Sequence, residues 1–431
     1  MTSPFGQGTR TTPPGADALH HHFRPMGGRD PHEEHRVATP LELLFDLTFV
    51  ASFGTAAAHL AHAVAEGHFV AGLVGFGFAS FAICWAWINF SWFSSAYDTD
   101  DWIFRVVTMM QMIGVLVLGI GLPRMFASIE HHAKHFDTSI MVLGYVIMRV
   151  ALVFQWLRAA RQDPGRQHIC RTYATAISIA QAGWVAQIFF DFSVVMTFVL
   201  TLILVLIEMT GPLLAERKDG GTPWHPHHIA ARYSLFAIIA LGEGVVGTVA
   251  ALSAVVEQQG WTMDAALICT AGTGLTFGMW WVYYILPSAQ ILHVHRNRSF
   301  VWGYSQMLVV TSIVATGAGL HVAAYFIEHQ ARIGPLPAVL SVAIPVGLFL
   351  GLIYALYYYL VRRFDPNHVI LLLATAAVVA LALIAAISGV DVAICLVILM
   401  LAPAVTVVGY EVAGHRHEAR ILAEEDHRTT P

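Results

Sequence analysis

Twelve apolar stretches of about 20 residues follow one another from Leu41 to Glu411, each long enough to cross a hydrocarbon core of roughly 30 Å as a helix. They are placed near 41–65, 68–90, 105–123, 138–158, 172–190, 193–212, 229–253, 265–287, 300–325, 338–361, 367–388 and 391–411. With 57% hydrophobic and only 12% charged residues, the chain lacks the polar side chains needed to cover a water-facing surface. The expected fold class is therefore all-α: a polytopic membrane protein of about twelve transmembrane helices, with the lipid bilayer as its first partner. No nucleic-acid partner is expected.

Lysine and arginine set the expected orientation, because short loops rich in them stay on the cytoplasmic side. With the N-terminus inside, the inner segments hold Arg10, Arg24, Arg29, Arg36, Arg105, Arg158, Arg161, Arg166, Arg171, Arg217, Lys218, Arg232, Arg296, Arg298, Arg362, Arg363, Arg416, Arg420 and Arg428. Arg124, Lys134 and Arg332 fall outside, and Arg149 falls within the fourth stretch. Both termini are thus expected to be cytoplasmic, in a multi-pass protein of a cell membrane. Residues 1–36 are rich in Pro, Gly, Arg and His and read as a disordered tail; 412–431 form a second tail. No cleavable signal peptide is visible, so the first helix is expected to direct insertion.

An offset of 195 residues superposes Trp85 on Trp280 and Gln111-Met112 on Gln306-Met307. The expectation is a pair of six-helix pseudo-repeats, 37–215 and 216–411, related by an axis along the membrane normal.

Ionisable groups within apolar stretches are costly and are functional-site candidates. Thr39, Pro40 and Glu42 complete a helix-start capping box, which accounts for Glu42 structurally without excluding a second role. Asp46 lies seven residues beyond the cap, about 10 Å into the membrane. A structural ion pair and a transport or catalytic role both fit it. Glu243 lies near the middle of the seventh stretch within Leu241-Gly242-Glu243-Gly244-Val245-Val246-Gly247, where glycines allow close helix approach or leave room for water or an ion. Arg232, eleven residues earlier, is too distant to pair with Glu243. Arg149, deep in the fourth stretch, is the expected counter-charge for Asp46 or Glu243, with Glu208 a more interfacial member of the group.

The segment Phe93–Asp101 carries three carboxylates but lacks the glycine and distal glutamate of a calcium loop, and is expected to be a solvated turn capping the third helix. His20-His21-His22, the set His225, His227 and His228, and the set His131, His132 and His135 lack a fixed ligand geometry. His59, His62 and His321 read as boundary residues able to titrate. Cys84, Cys170, Cys269 and Cys395 form no CxxC. Neither a metal nor a cofactor is expected. Walker, Rossmann, HExxH and serine-nucleophile patterns are absent, so no enzyme class is indicated.

Three blocks, HRVATPLELLFDLTFVASF, Tyr97 to Phe126, and HIAARYSLFAIIALGEGVVGTV from His228 to Val249, resemble the bacterial low-temperature-requirement A (LtrA) family in order and spacing. The family's TPLELFFDL corresponds to Thr39 through Leu47, with Leu44 replacing a usual aromatic, and its LGE to Leu241, Gly242 and Glu243. The resemblance covers about residues 33 to 410 and implies an integral membrane protein linked by name to growth in the cold. It implies no settled activity. Arg36 and Phe45-Asp46 are more loosely similar to the repeat signature of lysosomal-type potassium channels, without its serine. The resulting expectation is movement of a small solute or ion, with Asp46, Glu243, Arg149, Glu42 and Glu208 along its path. The alternatives are a membrane-embedded enzyme acting on lipid or a lipid-linked substrate, and a structural membrane protein.

Overall fold

A computed structural model describes residues 24–31, 33, 36–130, 136–190, 194–217, 220–362 and 366–414. The helices are α1 (Pro40–Ala65), α2 (Phe69–Tyr97), α3 (Trp102–Glu130), α4 (Ser139–Gln162), α5 (Gln167–Phe189), α6 (Val194–Glu216), α7 (Pro226–Gln259), α8 (Met263–Ile285), the short α9 (Ser288–Val294), α10 (Ser299–Ile327), α11 (Pro335–Val361), α12 (Pro366–Ile387) and α13 (Val392–Gly409). No strand occurs among the described residues. Among the described residues, eleven spans are long and apolar enough to cross a membrane. The expected fifth stretch is a helix, α5, that is not among these spans; Gln181 and Gln187 interrupt its apolar run.

Local sequence sets the helix starts. Thr39 accepts the Glu42 amide, Glu42 reaches back to the Thr39 amide, and Pro40 occupies the first turn, so the expected capping box closes. The Asp391 and Thr262 side chains cap α13 and α8 by accepting from the Ala393 and Ala265 amides, and His225 caps α7 with its ring nitrogen. Tight links, 66–68 and 388–391, turn α1 into α2 and α12 into α13.

Helices α1, α7 and α10 pack against one another at the centre; α2 and α3 flank α1, α4 lies on α3, and α11 lies against α10. Small residues allow the tightest approaches. A Cβ on Gly317 would lie 2.5 Å from the Glu243 carbonyl carbon and oxygen, and one on Gly144 would lie 2.4 Å from the Leu118 amide.

The tail expectation changes for its described part. The Met26 side chain is fully buried and its amide donates to Gln162 Oε1 at 2.6 Å. The Arg29 amide donates to the Ala96 carbonyl at 3.0 Å, and Arg36 donates to the carbonyls of Ser94 (2.8 Å) and Ser95. Composition misjudged this segment because its anchors are carbonyls and side chains at the ends of α2 and α4, which a local count does not register. His20, His21, His22, His131, His132 and His135, the basic residues Arg10, Lys134, Lys218, Arg363, Arg416, Arg420 and Arg428, and the second tail from residue 415 lie outside the described residues.

Candidate functional site

The first turns of α1 place Glu42 and Asp46 on one face, four residues apart. Trp87, Ser91 and Ser94 share one face of α2, and His228 and Arg232 stand one turn apart on α7. These three faces meet. Arg232 Nη2 donates to Asp46 Oδ1 at 2.7 Å and to Ser91 Oγ at 3.1 Å, and Arg232 Nη1 lies 3.8 Å from Glu42 Oε1. Trp87 Nε1 donates to the same Asp46 oxygen at 2.7 Å. Besides its capping bonds, Glu42 accepts from Ser94 Oγ at 2.5 Å and pairs with His228 Nε2 at 3.1 Å. The side chains of Arg232, Glu42, Asp46 and His228 are 0–1% exposed, so the whole network is dry.

In direct contact, two carboxylates face one guanidinium and one imidazole. The cluster is therefore neutral only when His228 carries a proton or one acid does, and a single proton changes its net charge. Four of its atoms, Asp46 Oδ2, His228 Nδ1, Arg232 Nε and Arg232 Nη1, have no hydrogen-bond partner among the described residues. Each such atom is expensive to leave unpaired in a buried position.

Glu243 occupies a different setting. It is 5% exposed in the middle of α7, and makes no hydrogen bond or ion pair with any described residue. Glycines surround it. A Cβ on Gly54 of α1 would stand 3.4 Å from Glu243 Oε1, and Gly317 of α10 lies against its backbone. Gly54 is two turns beyond Asp46, about 12 Å along α1. The interval is aromatic: Phe236 stacks on Trp87 at 4.1 Å and meets Phe53 at 5.4 Å and Phe49 at 6.2 Å. An apolar plug thus separates the charged cluster from the lone acid.

Arg149 does not reach either acid. It lies on α4, where it contacts the Tyr145 hydroxyl and Glu208 Oε2 (3.3 Å), while Glu208 also accepts from Tyr145 at 2.6 Å and Trp184 Nε1 at 2.8 Å. The expected pairing of Arg149 with Asp46 or Glu243 is corrected accordingly: α4 packs on α3 and α5, and Glu208 from α6 is the acid within reach. Glu208 is buried within the bundle, at 7% exposure. Arg232, assigned from sequence to an inner segment, is the basic residue at the central acids because α7 begins at Pro226 and carries it inward.

The Phe93–Asp101 segment is also corrected. Residues to Tyr97 are helical, and Asp98 and Asp101 are buried. Asp101 does cap α3, accepting the Phe104 amide at 2.8 Å, and it also binds Arg158. Burial, reinforced by the nearby Glu42 charge, pushes the Asp98 carboxyl up to about 7. Burial likewise lowers the Arg36 guanidinium to about 10.

The His225 and His227 rings lie 5.9 Å apart and tilted by 47°, while His228 turns to Glu42, so the three do not converge. His59 stacks on Phe126 at 5.0 Å, His62 is exposed and His321 is half-buried. No group of three His, Cys, Asp or Glu among the described residues is placed to hold a metal.

A bundle of this length and apolarity, with a buried acid–base network between its central helices, defines a multi-pass integral membrane protein. The family described as Bacterial low temperature requirement A protein (LtrA) matches residues 37–403, and the chain belongs to it. It is similar to an uncharacterized protein of Rhizobium meliloti (strain 1021), 23% identical over 256 residues, which are 56% of this chain and 59% of that protein. The chain thus spans about three fifths of the length of that relative. No solved structure matches it.

Proposed function

We propose that this LtrA-family protein moves a proton or a small monovalent cation across a bacterial cell membrane, with Glu243 as the site that the ion occupies in transit. The observation that carries this is a carboxylate at mid-span, buried between two glycines and without a counter-charge among the described residues. An unpaired acid buried at mid-span is stabilised there by taking up a proton or a cation. On this reading, Glu42, Asp46, His228 and Arg232 form the near-side network that exchanges charge with the cytoplasm, and the Phe49, Phe53 and Phe236 plug closes the path between them. Arg149 and Glu208 belong to a separate structural pair.

The same reading places both termini in the cytoplasm and divides the bundle into halves of six long helices, 37–215 and 216–411. Supporting the division, the chain of neighbours α1–α3–α4–α5–α6 recurs as α7–α10–α11–α12–α13. Asp46 and Glu42 then stand on the first half and His228 and Arg232 on the second, so the network spans the boundary at which two halves would rock. A covalent reaction is not part of the proposal, and no group of three His, Cys, Asp or Glu among the described residues is placed to hold a metal.

The test is flux in proteoliposomes under imposed proton, sodium and potassium gradients, comparing wild type with Glu243→Gln. Gradient-driven flux in the wild type, abolished in a folded Glu243→Gln variant, is the expected result. Flux unaffected by Glu243→Gln would overturn the assignment.

A further inference from the structure

Away from the acids, an apolar cavity of about 600 Å³ opens sideways between α2 and α11 and is floored by α1 and α10. Its wall runs from Pro337 to Leu348 on α11 and from Thr311 to Val322 on α10. Eleven residues of helix are about 16 Å, half of a hydrocarbon core roughly 30 Å thick, so the cavity has the depth of one leaflet. Ser312 and Ser341 line it, yet both hydroxyls donate to backbone carbonyls of their own helix, which leaves the lining hydrocarbon in character. No acid or base enters it. It therefore offers no chemistry for the enzyme alternative.

The leaflet is the one opposite the start of α1, because Val64 of α1, Phe69 of α2 and Pro337 of α11 ring the cavity's end at that side. Just above this end the Arg332 amide donates to the Ala65 carbonyl at 2.7 Å. Its guanidinium, 75% exposed, pairs with Glu66 at 3.1 Å. A cation and an anion side by side, over a single-leaflet hydrocarbon slot, complement a head group that carries a phosphate next to an ammonium. We propose that this cavity is a binding site for one acyl chain of a phosphatidylethanolamine, with its phosphate on Arg332 and its ammonium on Glu66.

Gly77 supplies a clean perturbation, since it lines the cavity and a Cβ there meets nothing within 4 Å. Gly77→Phe fills the slot without striking backbone; Leu73→Trp, at an exposed lining position, does so from the next turn. The experiment is native mass spectrometry of the full chain released from nanodiscs of equal phosphatidylethanolamine and phosphatidylglycerol. Wild type is expected to retain one phosphatidylethanolamine at least fivefold over phosphatidylglycerol. Gly77→Phe and Leu73→Trp should each lose it at unchanged melting temperature, while Arg332→Gln should keep a lipid and lose the head-group preference. Retention of lipid in both filled variants, or equal retention of the two lipids by wild type, would overturn the proposal.

Discussion

Replacing Arg232 by Met tests the central network most directly. The guanidinium is the only group in the cluster with a fixed positive charge, and it is fully buried against Asp46 at 2.7 Å and Glu42 at 3.8 Å. Its loss leaves Asp46 with the Trp87 bond alone and strips Ser91 of a donor. Removing one partner of a buried ion pair costs about 3–5 kcal/mol, chiefly because the surviving charge stays dry and uncompensated. Asp46→Asn keeps an acceptor for Trp87 and removes that surviving charge. The double variant should therefore recover about 2 kcal/mol or more relative to the sum of the singles. The assay is reversible unfolding in mixed micelles, followed by tryptophan fluorescence, for the four members of the cycle. A cost below about 1 kcal/mol for Arg232→Met, or a coupling below about 0.5 kcal/mol, would refute the claim that this pair holds α1 to α7.

The second buried pair should behave alike: Arg149→Met is expected to lower stability by about 3–5 kcal/mol without changing the ion selectivity of any flux, measured by the same unfolding and proteoliposome assays. Glycine positions should separate by contact, with Gly317→Ala costing about 1–3 kcal/mol against the Glu243 backbone while Gly242→Ala, open to space, is neutral or mildly stabilising by the same unfolding measurement. Asp98 lies outside the spans with its pKa raised to about 7, above its unfolded value, so the folded state holds this proton more tightly and stability falls as pH rises from about 4 to about 7. Asp98→Asn should flatten that fall and raise stability at pH 8, read from unfolding curves between pH 5 and pH 8.

Helix positions were legible because hydrocarbon thickness imposes a length that single residues cannot disguise, as with α1, whose cap at Thr39, Pro40 and Glu42 sits where the sequence places it. The two central acids were legible for the same reason: cost marks them. Their partners were less so. Arg232 stands near the start of its helix, where a basic residue reads equally as a cytoplasmic boundary charge, and only the depth of α7 between α1 and α10 turns it inward. The spacing of His228 and Arg232, one turn apart and preceding the Gly-Glu-Gly segment, was the available signal for a shared face. Which acid they would meet depended on helix order in space, as did the pairing of Arg149 with Glu208 in place of Asp46. Nothing in local composition carries that information.

The two acidic centres differ in the property that matters for transport. Asp46 has a strong, fixed partner on the opposing helix, so releasing it requires separating α7 from α1 and breaking the Trp87 and Ser91 bonds with it. Glu243 has no partner to release among the described residues and is approached closely by Gly54 and Gly317. On the proposed reading, occupancy of Glu243 and integrity of the Arg232 network are therefore alternatives that one rocking motion exchanges: widening the α1–α7 contact opens the Phe49, Phe53 and Phe236 plug only by disturbing the pair below it. A variant that keeps the plug aromatic but unlocks the pair, Asp46→Asn, should then raise uncoupled leak through the protein while lowering gradient-driven accumulation in the same proteoliposomes. A leak unchanged in that variant would mean that the pair and the plug move independently.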